Sequence, residues 1–162
     1  MANEALDIAS VLDAIGRDVI KQLADIPDDL LNKPLDLPET NTLFALATHL
    51  VGAGEFWVLA LAGGWHIERD RQAEFHATGQ GADLLARYER WLENIHKVLD
   101  TLPDSAMGQH VDPPATYRAR MHDQSFTVRD CLLHALEHSA LHQGHIQLTR
   151  QVLLGKPPAN NG

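Results

Sequence analysis

Four stretches of the chain repeat apolar side chains every three or four residues, and proline or glycine closes or separates them. That period suits amphipathic helices, whereas a strand would alternate every second residue, and no such run occurs. The first stretch, Ala5 to Ala24, carries Leu6, Ile8, Val11, Leu12, Ile15, Val19, Ile20 and Leu23, with Asp7, Asp13, Arg17 and Lys21 between them. Pro27, Pro34 and Pro38 forbid a continuous helix from Ile26 to Glu39. The second opens after Asn41 and Thr42, both suited to capping, and runs to Ala62, where Gly63-Gly64 stops it. The third holds Leu84, Leu85, Tyr88, Trp91, Leu92, Ile95, Val98 and Leu99 ahead of Pro103. The fourth begins at Thr127 and strings Val128, Cys131, Ala135, His138, His142, His145, Thr149 and Val152 along one stripe before Gly155 and Pro157. An all-α, antiparallel four-helix bundle is expected, with room for a crossover connection.

The 162 residues suffice for one core, so residues 1–157 are expected to form one domain with 158–162 as a short tail. A formal charge of -9 opposes nucleic-acid binding, which depends on basic side chains displacing counterions. The apolar segment Leu43 to Trp65 is interrupted by Thr48, His49 and Glu55, so it reads as a buried helix and no membrane partner is expected. Glu4 and Asp7, with no basic run ahead of an apolar one, do not resemble a signal peptide. Cys131 is the only cysteine, which rules out an internal disulfide and leaves a reduced, cytoplasmic setting as the expectation. Its place on the stripe suits a small core residue better than a nucleophile.

The histidines carry the functional signal. Of ten, four (His134, His138, His142 and His145) fall within twelve residues, where random placement gives roughly 0.7, so the cluster calls for an explanation. On a helix His138 and His142 stand about 6 Å apart along the axis and about 40° apart around it, so their rings can converge on one ion. Neutral imidazole nitrogens suit zinc or nickel, and coordination satisfies groups that are otherwise costly to desolvate. Two ligands are too few. His49, beside Leu46, Leu50 and Ala53, is the best supplier of a third, although a single histidine on an apolar helix is commonly a core residue bonded to a carbonyl or water. His134 lies two turns from His142 and is read as a supporting or surface residue, while His145 suits either a pocket wall or the core. The other five histidines (His66, His76, His96, His110 and His122) read as solvated or loop residues. A competing register, His134-Ala135-Leu136-Glu137-His138, satisfies the His-x-x-Glu-His pattern of inverzincin peptidases, with Glu137 as base. It strands His142, and Glu137 reads more simply as an exposed charge.

The run His138-Ser139-Ala140-Leu141-His142-Gln143-Gly144-His145-Ile146, together with Thr127-Val128-Arg129-Asp130 and Thr48-His49-Leu50 with Trp57 downstream, resembles the DinB-like (YfiT-like) superfamily of four-helix metalloproteins. The likeness covers nearly the whole chain. It implies that His49, His138 and His142 bind a divalent metal, and that the chain is similar to thiol-dependent transferases using bacillithiol or mycothiol, with isomerases in a neighbouring branch. The chain departs from that pattern in two places. His145 stands where many relatives have Gln, and the acidic residue that follows the first histidine falls on Glu55, which helix geometry turns about 120° away from His49.

The function expected is therefore a divalent-metal-dependent thiol S-transferase acting on a small electrophile. A low-molecular-weight thiol would reach the metal, and Arg118 and Arg120 could hold the thiol cofactor's carboxylate. A metal-dependent hydrolase at the same site and a non-catalytic metal-binding or dimeric module are the alternatives. The connection Leu102 to Phe126 is long enough to act as a lid. The resemblance, with Phe56, Trp57, Leu59 and Leu61 spread over more than one face of helix two, predicts a homodimer.

Overall fold

Helix ends fall where the sequence offers polar caps. The computed structural model describes residues 3–112 and 126–155. Asn3 opens α1 (Glu4–Leu23), its side chain accepting from the Ala5 amide at 3.0 Å. After the short α2 (Asp28–Leu31), Thr42 caps α3 (Leu43–Gly54) by accepting from the Ala45 amide at 3.1 Å, so of the two expected capping residues Thr42 is the one used. From Glu55 to Ala62 the helix continues in π geometry, and the Gly63 amide donates to the Val58 carbonyl five residues back. Next come α4 (Arg71–Glu74), α5 (Gly81–Leu99) and a 3-10 turn (Asp104–Ala106). A capping box between Thr127 and Asp130 opens α6 (Val128–Leu154), which Gly155 closes in the left-handed region at φ 61°. Among the described residues there is no strand, only an isolated bridge between His110 and Thr127.

The long helices form the expected all-α four-helix bundle, and side-chain pairs give its directions. Asp13 of α1 lies near His96 of α5, and Gly16 faces Leu92, so these two helices run antiparallel. Glu4, Asp18 and Asp25 bond Arg129, Gln143 and Arg150, so α1 and α6 run parallel. His49 meets His138 while Trp57 meets His134, so α3 opposes α6. Ala47 bonds Tyr88 and Gly54 abuts Trp91, so α3 and α5 are parallel. Two packed faces are thus antiparallel and two parallel. A parallel α3–α5 pair needs a chain that travels back along the bundle, and residues 63–80 are that crossover.

The crossover explains why α3 is apolar all round. Packed by α2, α4, α5 and α6, each of its residues from Leu43 to Gly54 is buried. The continuous helix Leu43–Ala62 is long and apolar enough to cross a membrane, but 78 % of its most apolar stretch is buried inside the bundle, as a core helix requires. Burying Leu43 and Leu50 completely contributes about 2 kcal/mol each at roughly 25 cal/mol per Å². Gly54 admits Trp91, since a Cβ there would stand 2.3 Å from the indole ring.

Some expected core positions lie elsewhere. Leu6 and Val11 are 43 % and 47 % exposed on α1. Trp57 and Leu59 are buried, and Phe56 and Leu61 pack against the core. Arg69 of the segment 63–80 lies over the Phe56 ring, so part of that face is covered within the chain itself. The large apolar residues that reach solvent include Leu133, Leu141 and Leu148 of α6.

Cys131 is fully buried, and burial, reinforced by Asp130, pushes its thiol up to about 12. The native protein should accordingly resist iodoacetamide at pH 8 and react fully once unfolded. Rapid stoichiometric labelling of the native chain would overturn its placement in the core.

Candidate metal centre

Three histidines converge where α3 faces the middle of α6. His49, His138 and His142 each present a ligand nitrogen, and these atoms lie within 4.8 Å of one another. His49 is 3 % exposed, while the other two are half-buried. The Nε2 atoms of His49 and His138 approach to 3.1 Å, and the His138 and His142 ring centroids are 4.3 Å apart. Adjacent turns of one helix bring the α6 pair together, and the antiparallel packing of α3 carries His49 across to it.

The chemistry of the trio suits a cation. Burial, reinforced by His142 and His49, pushes His138 down to about 3, and burial with His49 and His145 pushes His142 down to about 4. Both rings are neutral at pH 7 and offer lone pairs. Their Nδ1 atoms are buried without a hydrogen-bond partner among the described residues. Such a set of imidazoles could hold one metal ion, with three protein nitrogens leaving positions for other ligands.

His49 has a partner that the sequence did not disclose. Its Nδ1 lies 2.7 Å from Oε2 of Glu74, a residue of the crossover that is only 6 % exposed. Arg69 grips the same carboxylate, Nε donating to Oε1 at 2.6 Å and Nη2 to Oε2 at 2.8 Å. Burial alone would raise the Glu74 carboxyl, but the hydrogen bonds from His49 and Arg69 outweigh it and hold the group below the usual range. The Phe75 ring packs on His49 with centroids 4.5 Å apart. The only trace in the sequence is a charged run, Arg69-Asp70-Arg71-Gln72-Ala73-Glu74, which resembles any solvated loop.

The remaining expectations sort by distance. His134 stands beside the trio, its ring 5.7 Å from that of His138 and 4.5 Å from Trp57, and burial lowers its pKa. His145 is exposed, 5.2 Å from the His142 ring, so it belongs to the rim rather than the core. Gly144 faces open space, where a Cβ would meet no atom within 4 Å. Glu55 lies off the centre, as its angle required, paired with Arg87 at 2.6 Å. Glu137 is 81 % exposed and 3.8 Å from His134, turned away from the three nitrogens and poorly placed to act as the base of an inverzincin site. His66, His76 and His110 are exposed, and His96 is half-buried beside Asp13 and Asp100; His122, Arg118 and Arg120 lie outside the described residues.

Behind Glu74 opens a cleft of about 250 Å³, lined by Thr48, Gly52, Glu55, Arg69 and Arg87 among others. None of the three histidines lines it, whereas Glu74, the partner of His49, does.

Solved structures share this fold. A conserved protein from Enterococcus faecalis is 15 % identical with a TM-score of 0.73, covering 96 % of this chain and 100 % of that one. A DinB-like protein from Bacillus cereus is 16 % identical with a TM-score of 0.65, covering 87 % and 86 %. No curated protein matches. The model of the mycothiol-S-transferase family, however, matches residues 7–155, a span that includes both helices of the histidine cluster, and the chain belongs to that family.

Proposed function

We propose that the protein is a metal-dependent thiol S-transferase that joins a low-molecular-weight thiol to a small electrophilic substrate. The observation that carries this reading is the convergence of His49, His138 and His142 from two helices in a chain of the mycothiol-S-transferase family. In this reading the three side chains hold one divalent ion, zinc or nickel by the softness of imidazole donors. When bound, the ion supplies Lewis acidity that keeps a thiol sulfur deprotonated near neutral pH, as a low-pKa cysteine does elsewhere. Cys131 is too deeply buried for that task.

The chain's own residues do the rest. Burial keeps His138 and His142 neutral, so their lone pairs are not lost to protons at pH 7. Trp57 and Phe75 give the centre apolar walls that limit water, the solvent nucleophile competing with the thiolate. As the sulfur attacks the electrophilic carbon, a carbon–sulfur bond forms while the leaving group departs with its bonding pair, or the π pair moves to the far atom, which takes a proton from solvent; the thiol proton goes to solvent. Arg118 or Arg120 contributes charge toward a thiol that carries a carboxylate, as bacillithiol and glutathione do.

Cobalt substitution tests this. Adding mycothiol to the cobalt-loaded protein should produce a thiolate-to-metal charge-transfer band at micromolar to millimolar thiol, absent from His142→Ala. A spectrum insensitive to mycothiol, bacillithiol and glutathione but altered by a hydroxamate would replace the transferase with a hydrolase. Silence with all of them would leave a closed, non-catalytic site.

A further inference from the structure

We infer that Glu74, locked in place by Arg69, is a positioning residue for His49 that fixes both the orientation of its ring and the nitrogen that carries its proton. This rests on the reading of the three histidines as a metal centre and adds a part that none of the ligands supplies.

The geometry argues it in steps. Both Glu74 oxygens take hydrogen bonds from Arg69, and Oε2 also faces His49 Nδ1 at 2.7 Å. A carboxylate engaged by a guanidinium fork is an acceptor only, so Nδ1 must carry the hydrogen and donate it. Nε2 of His49 is then left bare, and it is the atom that points at His138, 3.1 Å away. The His138 and His142 rings have no comparable support, their Nδ1 atoms being buried without a partner among the described residues. Of the three rings, His49 alone is held in the tautomer a metal requires before any metal arrives.

The fold makes room for this arrangement. A Cβ at Gly52 would stand 2.4 Å from Oε1 of Glu74, so only glycine at that position lets the carboxylate sit between α3 and Arg69. Phe75, the next residue along the crossover, packs on the His49 ring, and Arg69 lies over the Phe56 ring at 5.7 Å. The crossover thus meets α3 and its π continuation through a hydrogen bond to His49, two ring contacts and one missing side chain, all gathered behind His49. A crossover that served only to link helices would have no need to bury a carboxylate at a histidine nitrogen.

Two measurements test this on the full chain. In a long-range proton–nitrogen correlation spectrum of the metal-free protein, His49 should show the Nδ1–H tautomer, and Glu74→Ala should shift it toward Nε2–H. Zinc titrated against a chromophoric chelator should bind Glu74→Ala roughly 10–100-fold more weakly than the parent. Gly52→Ala, which displaces the carboxylate without removing it, should move both readouts the same way, and it keeps the test alive if Glu74→Ala does not fold. An Nε2–H tautomer in the parent, or zinc affinities within about twofold of the parent for the variants that fold, would overturn the inference while leaving the metal centre standing. A parent that binds no zinc would overturn the centre and this inference together.

Discussion

Replacing His138 by Ala should strip the protein of its metal. Purified without a histidine tag, the parent is expected to carry about one divalent ion per chain by elemental analysis, and His138→Ala a small fraction of that. His138 is one corner of a near-equilateral triangle of rings, 4.9 Å from His49 and 4.3 Å from His142 between centroids, with 4.8 Å between the other two. Its loss leaves two nitrogens, too few to hold the ion firmly. The affinity cost should exceed the roughly 10–100-fold expected for a residue that only supports a ligand. His134→Ala is the informative control. Its ring packs on Trp57 rather than among the three nitrogens, so metal content should stay near that of the parent. Full occupancy in His138→Ala together with loss in His134→Ala would move the ion one turn along α6 and revive the His-x-x-Glu-His register.

That register was legible as a competitor because both motifs share His138, and a one-dimensional pattern cannot say which face of α6 meets α3. Packing decides it. The antiparallel contact places His49 against His138 and His142 and leaves Glu137 in solvent. The α6 pair could be read from its four-residue spacing alone, since two ligands on adjacent turns are a local property of a helix. His49 could be nominated by its apolar neighbours but not assigned, because its role depends on a contact 89 residues away.

The helices themselves were readable for similar reasons. Thr42, Thr127, Gly63 and Gly155 act locally, and each stands at or beside a helix end in the structure. The order of the bundle was not readable. Whether α3 pairs parallel or antiparallel with α5 depends on where residues 63–80 travel, and a polar stretch with few apolar side chains gives no periodicity to follow. Glu74 was hidden for that reason, since a buried carboxylate on such a stretch cannot be told from a solvated one until its histidine is seen. Phe56 and Leu61 are half-buried against the core, a degree of cover that an isolated helix does not disclose.

Removing the metal should leave a protein that is sensitive to mild acid. In the unfolded chain His138 and His142 take protons near the ordinary value of 6.5, whereas in the fold His138 resists down to about 3 and His142 down to about 4. Between pH 6.5 and about 4 the unfolded state therefore binds more protons than the native state. Stability rises with pH across that window and falls as acid is added. Above pH 6.5 the two rings contribute no slope. Glu74 acts in the same direction at lower pH, because its depressed carboxyl gives stability that disappears as pH falls through its folded value. Unscreened linkage for the two histidines amounts to roughly 5 kcal/mol between pH 7 and 4.5, but both rings are only half-buried and water reaches them, so about 2 kcal/mol is the expected loss. Urea unfolding of the chelator-treated protein at the two pH values, with the slope against denaturant unchanged, measures it directly. The double variant His138→Ala, His142→Ala should lose most of the dependence. An equal midpoint for the parent at pH 7 and 4.5 would mean that the two rings take up protons freely in the native state, and the buried, neutral trio on which the metal centre rests would have to be given up.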